Sequence, residues 1–217
     1  MLLFDQFKEN KRTLKGQVIK MNVWMDSIKN GFEIYLKVAP FAIFAFLLFI
    51  YFKKISFNPI RFIGVQFLMV YVFCLVEVVL FPLPNADTLS AMVGYKGQFI
   101  PFTFVSDILR EKTITSVLQV AFNVLLTVPF GFFFKFLLNM KRRNVILLTF
   151  LLSVLIETAQ LTGLFFIYPG SYRLFDVDDL FLNTLGGFSG TVLANYIRCF
   201  IPDIDSFNTI RLDIIIT

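Results

Sequence analysis

The chain has 217 residues, a formal net charge of +5, 57% hydrophobic residues and only 16% charged residues. Soluble domains contain about a quarter charged residues. The mean hydropathy is +0.76, and apolar stretches long enough to cross a bilayer recur along the chain. The composition therefore predicts an all-α integral membrane protein and excludes a soluble globular domain.

Several kinds of chemistry are excluded by residue type. The sequence has no histidine, which removes Ser-His triads and histidine-ligated zinc. Cys74 and Cys199 lie in predicted spans without partner spacing, so neither a disulfide nor a metal site is predicted. The basic residues flank the spans, which suits anionic lipids and gives no support for a nucleic-acid partner. No cofactor is expected.

The N-terminal 35 residues are predicted to form a polar tail and an amphipathic helix. Apolar residues recur there at alternating steps of four and three, at Leu14, Val18, Met21, Met25, Ile28, Phe32 and Tyr35. Trp24 could anchor this helix at a membrane interface. Packing on the protein's own spans or on a second copy is the other interpretation, and the sequence leaves both open.

Five membrane spans are predicted, at residues 34–52, 62–81, 117–138, 145–167 and 180–201. The expected architecture is a bundle of about five transmembrane helices behind the amphipathic helix. The short loops 53–61 and 139–144 carry Lys and Arg close to span ends, which predicts that they are cytoplasmic and that the N-terminus lies outside. The N-terminal tail is also basic, but most of its charges lie far from the first span.

Strongly polar residues fall at one level of the predicted bundle. At 1.5 Å rise per residue, those of four spans lie in the same half of the membrane. An acidic side chain at a span centre costs roughly 2.5–3.5 kcal/mol, so each must be protonated, paired or wetted. We therefore predict a polar, outward-facing pocket formed by Asn123, Glu157, Gln160, Arg173, Asp176, Asp179 and Asn183. Arg173 is expected to pair with Glu157, Asp176 or Asp179.

Other polar and small residues in this region have structural interpretations. Asp178 is predicted to cap the fifth helix. Asn123 and Asn183 could also act as hydrogen-bonding links between helices. Gly186, Gly190 and Ala194 form a ridge of small residues typical of close helix packing. Glu77 in the second span is the least specific carboxylate.

The order and spacing of these residues resemble the VanZ-like family of small bacterial membrane proteins. The matching residues span about 99–197: Pro101-Phe102, Asn123, Pro129-Phe130-Gly131, Glu157-x-x-Gln160, then Arg173, Asp176, Asp179, Asn183, Gly186-Gly187 and Gly190. The resemblance implies a plasma-membrane location and a role in resistance to teicoplanin-type lipoglycopeptides.

The resemblance also suggests how the chain is divided. The expected parts are the tail and amphipathic helix at 1–35, two additional spans and the start of an outward loop at 36–98, a VanZ-like domain at 99–201 and a C-terminal tail at 202–217.

Three classes of function fit these features. The first is a non-catalytic envelope or resistance factor whose pocket binds a lipid-linked wall precursor, a lipid headgroup or the drug. The second is a membrane-embedded enzyme acting on a lipid-linked substrate, which the lack of an evident nucleophile or metal-ligand set disfavours. The third is a transporter, disfavoured because the intramembrane carboxylates occupy one leaflet only.

Overall fold

The computed structural model of the chain describes residues 2–53, 57–81, 83, 94, 97–111, 113–171 and 173–201, with side chains described from Trp24 onward except at residues 53 and 111. Its helices are α1 (Leu2–Lys53), α2 (Pro59–Leu80), α3 (Thr103–Glu111), α4 (Ile114–Leu138), α5 (Arg142–Leu161), α6 (Gly163–Phe166) and α7 (Val177–Arg198). Two short strands pair in parallel: β1 (Gly97–Gln98) precedes α3 in the chain, and β2 (Phe175–Asp176) precedes α7. The predicted class, an all-α membrane protein, is confirmed.

Four helical segments of the described chain are long and apolar enough to cross a membrane: Trp24–Phe52, Pro59–Leu80, Ile114–Leu138 and Arg142–Leu161. The fifth predicted span coincides with α7, which has a suitable length of 22 residues but a more polar composition. The buried face of α7 packs against α4 and α5 and carries glycine, Asn183 and Thr191. Because neighbouring helices cover that face, it does not need the apolar character of a lipid-exposed helix.

The polar tail, the amphipathic helix and the first span form one continuous helix, α1. The structure thus joins the predicted polar tail and amphipathic helix to the first span without a break. Residues 5–13 contain no glycine or proline and consist mostly of good helix formers, so a helix nucleated further along the chain can extend through them. Pro40 lies within α1 without ending it.

The described N-terminal part of α1 packs on the protein's own spans. The rings of Trp24 and Phe122 in α4 meet edge to face with centroids 4.3 Å apart. A Cβ at Gly31 would lie 2.6 Å from the Cα of Cys74 in α2, so glycine permits this close approach. Met25 and Ile28 of the apolar stripe remain exposed beside this contact.

Side-chain caps fix several helix ends. Asn58 accepts a hydrogen bond from the backbone N–H of Arg61 at 2.9 Å, and Pro59 starts α2, where its missing N–H costs nothing. At the same end of the bundle, Arg198 of α7 donates to Asn139 Oδ1 at 2.6 Å and to the Phe136 carbonyl at 2.7 Å. These bonds hold the C-terminal ends of α4 and α7 together.

The fourth predicted span extends too far along the chain. Helix α5 ends at Leu161, and Gly163 follows with a φ of +62°. Leu164, Phe165 and Phe166 also have left-handed backbone angles, so the chain turns out of the helix although the sequence stays apolar. Hydrophobicity alone cannot detect this break.

Glycines bring α7 against both of its neighbours. A Cβ at Gly131 of α4 would lie 2.0 Å from the Gly187 carbonyl oxygen, and one at Gly186 would lie 2.1 Å from that of Val124. On the other side, a Cβ at Gly187 would meet the hydroxyl of Thr149 in α5 at 2.2 Å. The glycines of α7 therefore act in packing, and the helix backbones are nearly in contact.

We expect Gly131→Ala to destabilise the protein, because its methyl group would strike backbone that cannot move without separating α4 from α7. Overpacking of this kind costs typically about 1–3 kcal/mol. The measurement is the midpoint of thermal unfolding in detergent. Gly64→Ala is the matched control, since its Cβ would meet the end of the Leu137 side chain and no backbone atom. An equal effect of both substitutions would contradict the prediction.

Candidate functional site

A polar cavity of about 100 Å³ lies between α3, the start of α4 and the start of α7. We call it the aspartate cavity. It is lined by Thr103, Phe104 and Asp107 of α3, by Thr115, Ser116, Gln119, Val120 and Asn123 of α4, and by Asp176, Asp178, Asp179 and Leu182 at the start of α7. Most of the lining residues therefore lie in the first turns of helices.

Three aspartates near the start of α7 have three different partners. Asp176 is the N-cap of α7 and accepts a hydrogen bond from the Asp178 backbone N–H at 2.9 Å. The prediction that Asp178 caps its own helix is therefore wrong. Asp176 has the extended backbone of an N-cap residue, and its side chain reaches an N–H group of the first turn. Asp178 is already inside the helix.

Asp178 instead binds the start of α3. Its carboxylate accepts hydrogen bonds from the backbone N–H groups of Phe102 at 2.5 Å and Phe104 at 3.0 Å, and from the Thr103 hydroxyl at 2.7 Å. Phe102 holds a left-handed φ of 66°, which turns the chain into the helix. A buried negative charge at a helix N-terminus is favoured by the helix dipole, so Asp178 acts as the N-cap of a different helix.

Asp179 connects α7 to α4 and α5. Its Oδ1 accepts a hydrogen bond from Asn123 Nδ2 across the cavity wall. Its backbone carbonyl accepts from the Ser153 hydroxyl of α5 at 3.4 Å, and that hydroxyl accepts from Asn183 Nδ2 at 2.9 Å. Within the described chain, Asn183 Oδ1 is a buried polar atom with no hydrogen-bond partner, and such an atom costs about 1–3 kcal/mol.

Glu157 lies behind the cavity in the interface between α5 and the start of α7. It is 2% exposed, and its Oε2 accepts a hydrogen bond from the Asp176 backbone N–H at 3.0 Å. Ser153 and Thr149 follow at steps of four along the same face of α5, both fully buried. Buried polar groups therefore continue along this interface well beyond the level of the predicted pocket.

Gln160 and Arg173 bind the end of α2. Gln160 Nε2 donates to the Val79 carbonyl at 3.1 Å, and Arg173 Nη2 donates to the Phe81 carbonyl at 3.0 Å. The direct pairing of Arg173 with a carboxylate stays a prediction.

The seven predicted site residues thus lie at one end of the bundle but have different surroundings. Asn123, Asp176 and Asp179 line the aspartate cavity. Glu157 and Asn183 lie between α5 and α7, while Gln160 and Arg173 fasten α2 to this end.

Sequence reasoning missed several lining residues. Ser116 and Gln119 precede Asn123 at steps of three and four, which places them on one face of α4. That polar face was detectable from spacing. Thr103 and Asp107 lie between the second and third predicted spans, where hydrophobicity predicts no helix although polar residues recur at helical intervals.

The cavity is acidic, and burial raises the pKa of the Asp176 carboxyl above its ordinary value. The hydrogen bond from the Asp178 N–H opposes this shift, and the nearby Asp178 and Asp107 carboxylates add to it. The Asp178 carboxylate accepts its hydrogen bonds from α3, and Asp107, Asp176 and Asp179 are the other carboxyl groups in the lining. Among the described residues, no group of three His, Cys, Asp or Glu side chains is arranged to hold a metal ion.

We expect Asp178→Asn to loosen α3, because an amide NH₂ would replace a carboxylate oxygen that accepts from α3. Leaving such a donor unpaired costs about 1–3 kcal/mol. Hydrogen exchange of the amides of residues 102–111 should become faster. Asp107→Asn removes the same charge from the same cavity and should leave exchange unchanged; equal protection in wild type and Asp178→Asn would contradict the role of Asp178.

Comparison with known proteins extends the matching region. The VanZ/LLP1 family model matches residues 67–198, more than half of the chain. The match begins within α2, closer to the N-terminus than residue 99, where the sequence motifs start. No curated protein and no solved structure matches the chain. Because the family model covers more than half of the chain and the chain has apolar membrane spans, the chain belongs to the VanZ/LLP1 family of membrane proteins.

Proposed function

We propose that this protein is a bacterial cell-envelope factor that protects against teicoplanin-type lipoglycopeptides by binding a polar headgroup in the aspartate cavity. The observation that carries the proposal is the meeting of Asn123 and Asp179, from different helices, in the wall of one cavity that also contains Asp176. Membership of the VanZ/LLP1 family supports the envelope role.

The size of the cavity limits what it can hold. Pockets for drug-sized molecules have volumes of roughly 300–1,000 Å³, whereas this cavity has about 100 Å³. It therefore accommodates one small polar group of a larger molecule and leaves the remainder outside. A lipid-linked wall precursor, a lipid headgroup and an exposed group of the drug itself all satisfy this limit.

The lining favours a cationic group. Asp107, Asp176 and Asp179 supply negative charge, while Ser116 and Gln119 add neutral hydrogen-bonding partners. An ammonium group has three donors and no acceptor, which suits a wall rich in carboxylate and hydroxyl oxygens. In this proposal Arg173 and Glu157 do not contact the ligand, and their hydrogen bonds hold the helix ends that form the cavity in place.

We further propose that the protein lies in the plasma membrane with the aspartate cavity on the outer side. Lys141, Arg142 and Arg143 are exposed at the opposite end of the bundle, between α4 and α5. Positive charge close to span ends favours the cytoplasmic side. This orientation places the N-terminus and the cavity outside.

The expected outcome in a teicoplanin-sensitive host is a several-fold rise in the teicoplanin inhibitory concentration on expression of the wild-type protein. Asp179→Asn should lose most of this protection, because it removes charge from the cavity while keeping an oxygen that can accept from Asn123. Vancomycin is measured in parallel.

Asp26→Asn is the matched control, since it removes the same charge from an exposed position on α1. Membrane levels of all variants are compared by immunoblot. If wild type protects against neither drug, the resistance function is wrong; if Asp179→Asn protects as well as wild type, the role of the cavity is wrong.

The carboxylates of the cavity support a second candidate, a membrane-embedded enzyme acting on a lipid-linked envelope component. Two neighbouring carboxylates can divide acid and base roles when their surroundings differ, and Asp176 and Asp179 have different partners. Turnover of lipid-linked precursors by purified protein, with and without magnesium, tests this function.

A further inference from the structure

The outer surface of α3 has two chemically distinct edges. Val105 and Leu109, one turn apart, are apolar and exposed, and Leu109 is 67% exposed. Ser106 and Arg110, also one turn apart, form a polar edge beside them. A single exposed apolar residue needs no explanation, but a contiguous exposed apolar surface marks a site of membrane or protein interaction.

The apolar edge belongs to a larger exposed surface. Phe99, Ile100 and Phe102 are exposed just before α3, and Ile114, Val117 and Leu118 are exposed on the first turns of α4. Helix α4 is a membrane span, so its outward apolar residues face lipid. The apolar edge of α3 lies next to this surface along the chain, with four residues between Leu109 and Ile114, and α3 packs against α4.

We infer that α3 lies in the membrane interface, with Val105 and Leu109 in the upper acyl region and Ser106 and Arg110 among the headgroups. The division of its surface into apolar and polar edges is that of an interfacial helix. Arg110, in the last turn, can reach lipid phosphates while its stem lies on apolar surface.

This placement determines where the aspartate cavity opens. Thr103 and Asp107 line the cavity, and on the surface of α3 both lie beside the polar edge formed by Ser106 and Arg110. The cavity is then held at the depth of the lipid headgroups and away from the acyl chains. Resting on the function proposed above, this depth selects a membrane-anchored headgroup as the ligand over a molecule free in solution.

Depth-dependent fluorescence quenching tests the placement. In a Cys74→Ala, Cys199→Ala background, Leu109→Cys is labelled with an environment-sensitive fluorophore and reconstituted in phosphatidylcholine–phosphatidylglycerol vesicles. Ser106→Cys is the matched control on the polar edge, and Val105→Cys is a second apolar-edge site in case one labelled protein fails to fold. Quenchers are spin-labelled lipid, with the nitroxide near the top of the acyl chain, and aqueous iodide.

The labels at 105 and 109 should be quenched several-fold more by spin-labelled lipid than the label at 106, and iodide should show the reverse order. Equal iodide quenching at all three sites would overturn the inference, since it places α3 in water. Shielding of 105 and 109 from both quenchers would also overturn it, because protein, such as a second copy, then covers the edge. The measurement needs no ligand or resistance, so its failure is distinct from that of the proposed function.

Discussion

Near-contact between the backbones of α4 and α7 is the constraint on which the site depends. Gly131 and Gly186 leave no room for a side chain between the two helices. Between helices in lipid there is little hydrophobic driving force, so close packing and hydrogen bonds carry the association. Because the helix axes are this close, short side chains such as Asn123 and Asp179 can bridge them, and Thr127 can donate to the Asn183 carbonyl at 2.6 Å.

The strongly polar residues at this end of the bundle are satisfied largely by main chain. Asp178 and Glu157 accept from backbone N–H groups, while Gln160 and Arg173 donate to backbone carbonyls. Helix ends have unpaired N–H and C=O groups, and the ends of several helices meet here. The same bonds that stabilise buried polar side chains therefore also fix where α2, α3 and α7 begin or end, which couples the shape of the cavity to the positions of the helices.

The sequence predicted the helical membrane class, the approximate spans and the gathering of polar residues toward one end, because hydrophobicity and helical rise determine these features. It did not predict the partners. A spacing rule identifies Asp178 as a residue near a helix start, but only the tertiary structure places α3 opposite it. The end of α5 was also missed, since Leu164 and Phe165 remain apolar while their backbone leaves the helix. Helix α3 was not predicted, because its nine residues are too few to span a membrane and mix polar with apolar side chains.

The division of labour among Asp176, Asp178 and Asp179 affects how sequence variation in relatives can be interpreted. The three residues occupy little more than one helical turn, yet one starts α7, one anchors a neighbouring helix and one accepts a hydrogen bond from Asn123 of α4. A relative that replaces the last of them while keeping the other two would keep both helix starts and lose the hydrogen bond to α4. Loss of the middle one would free α3 and leave the spans in place. Divergence at neighbouring positions would thus separate changes in the contact between α4 and α7 from changes in the mobility of α3.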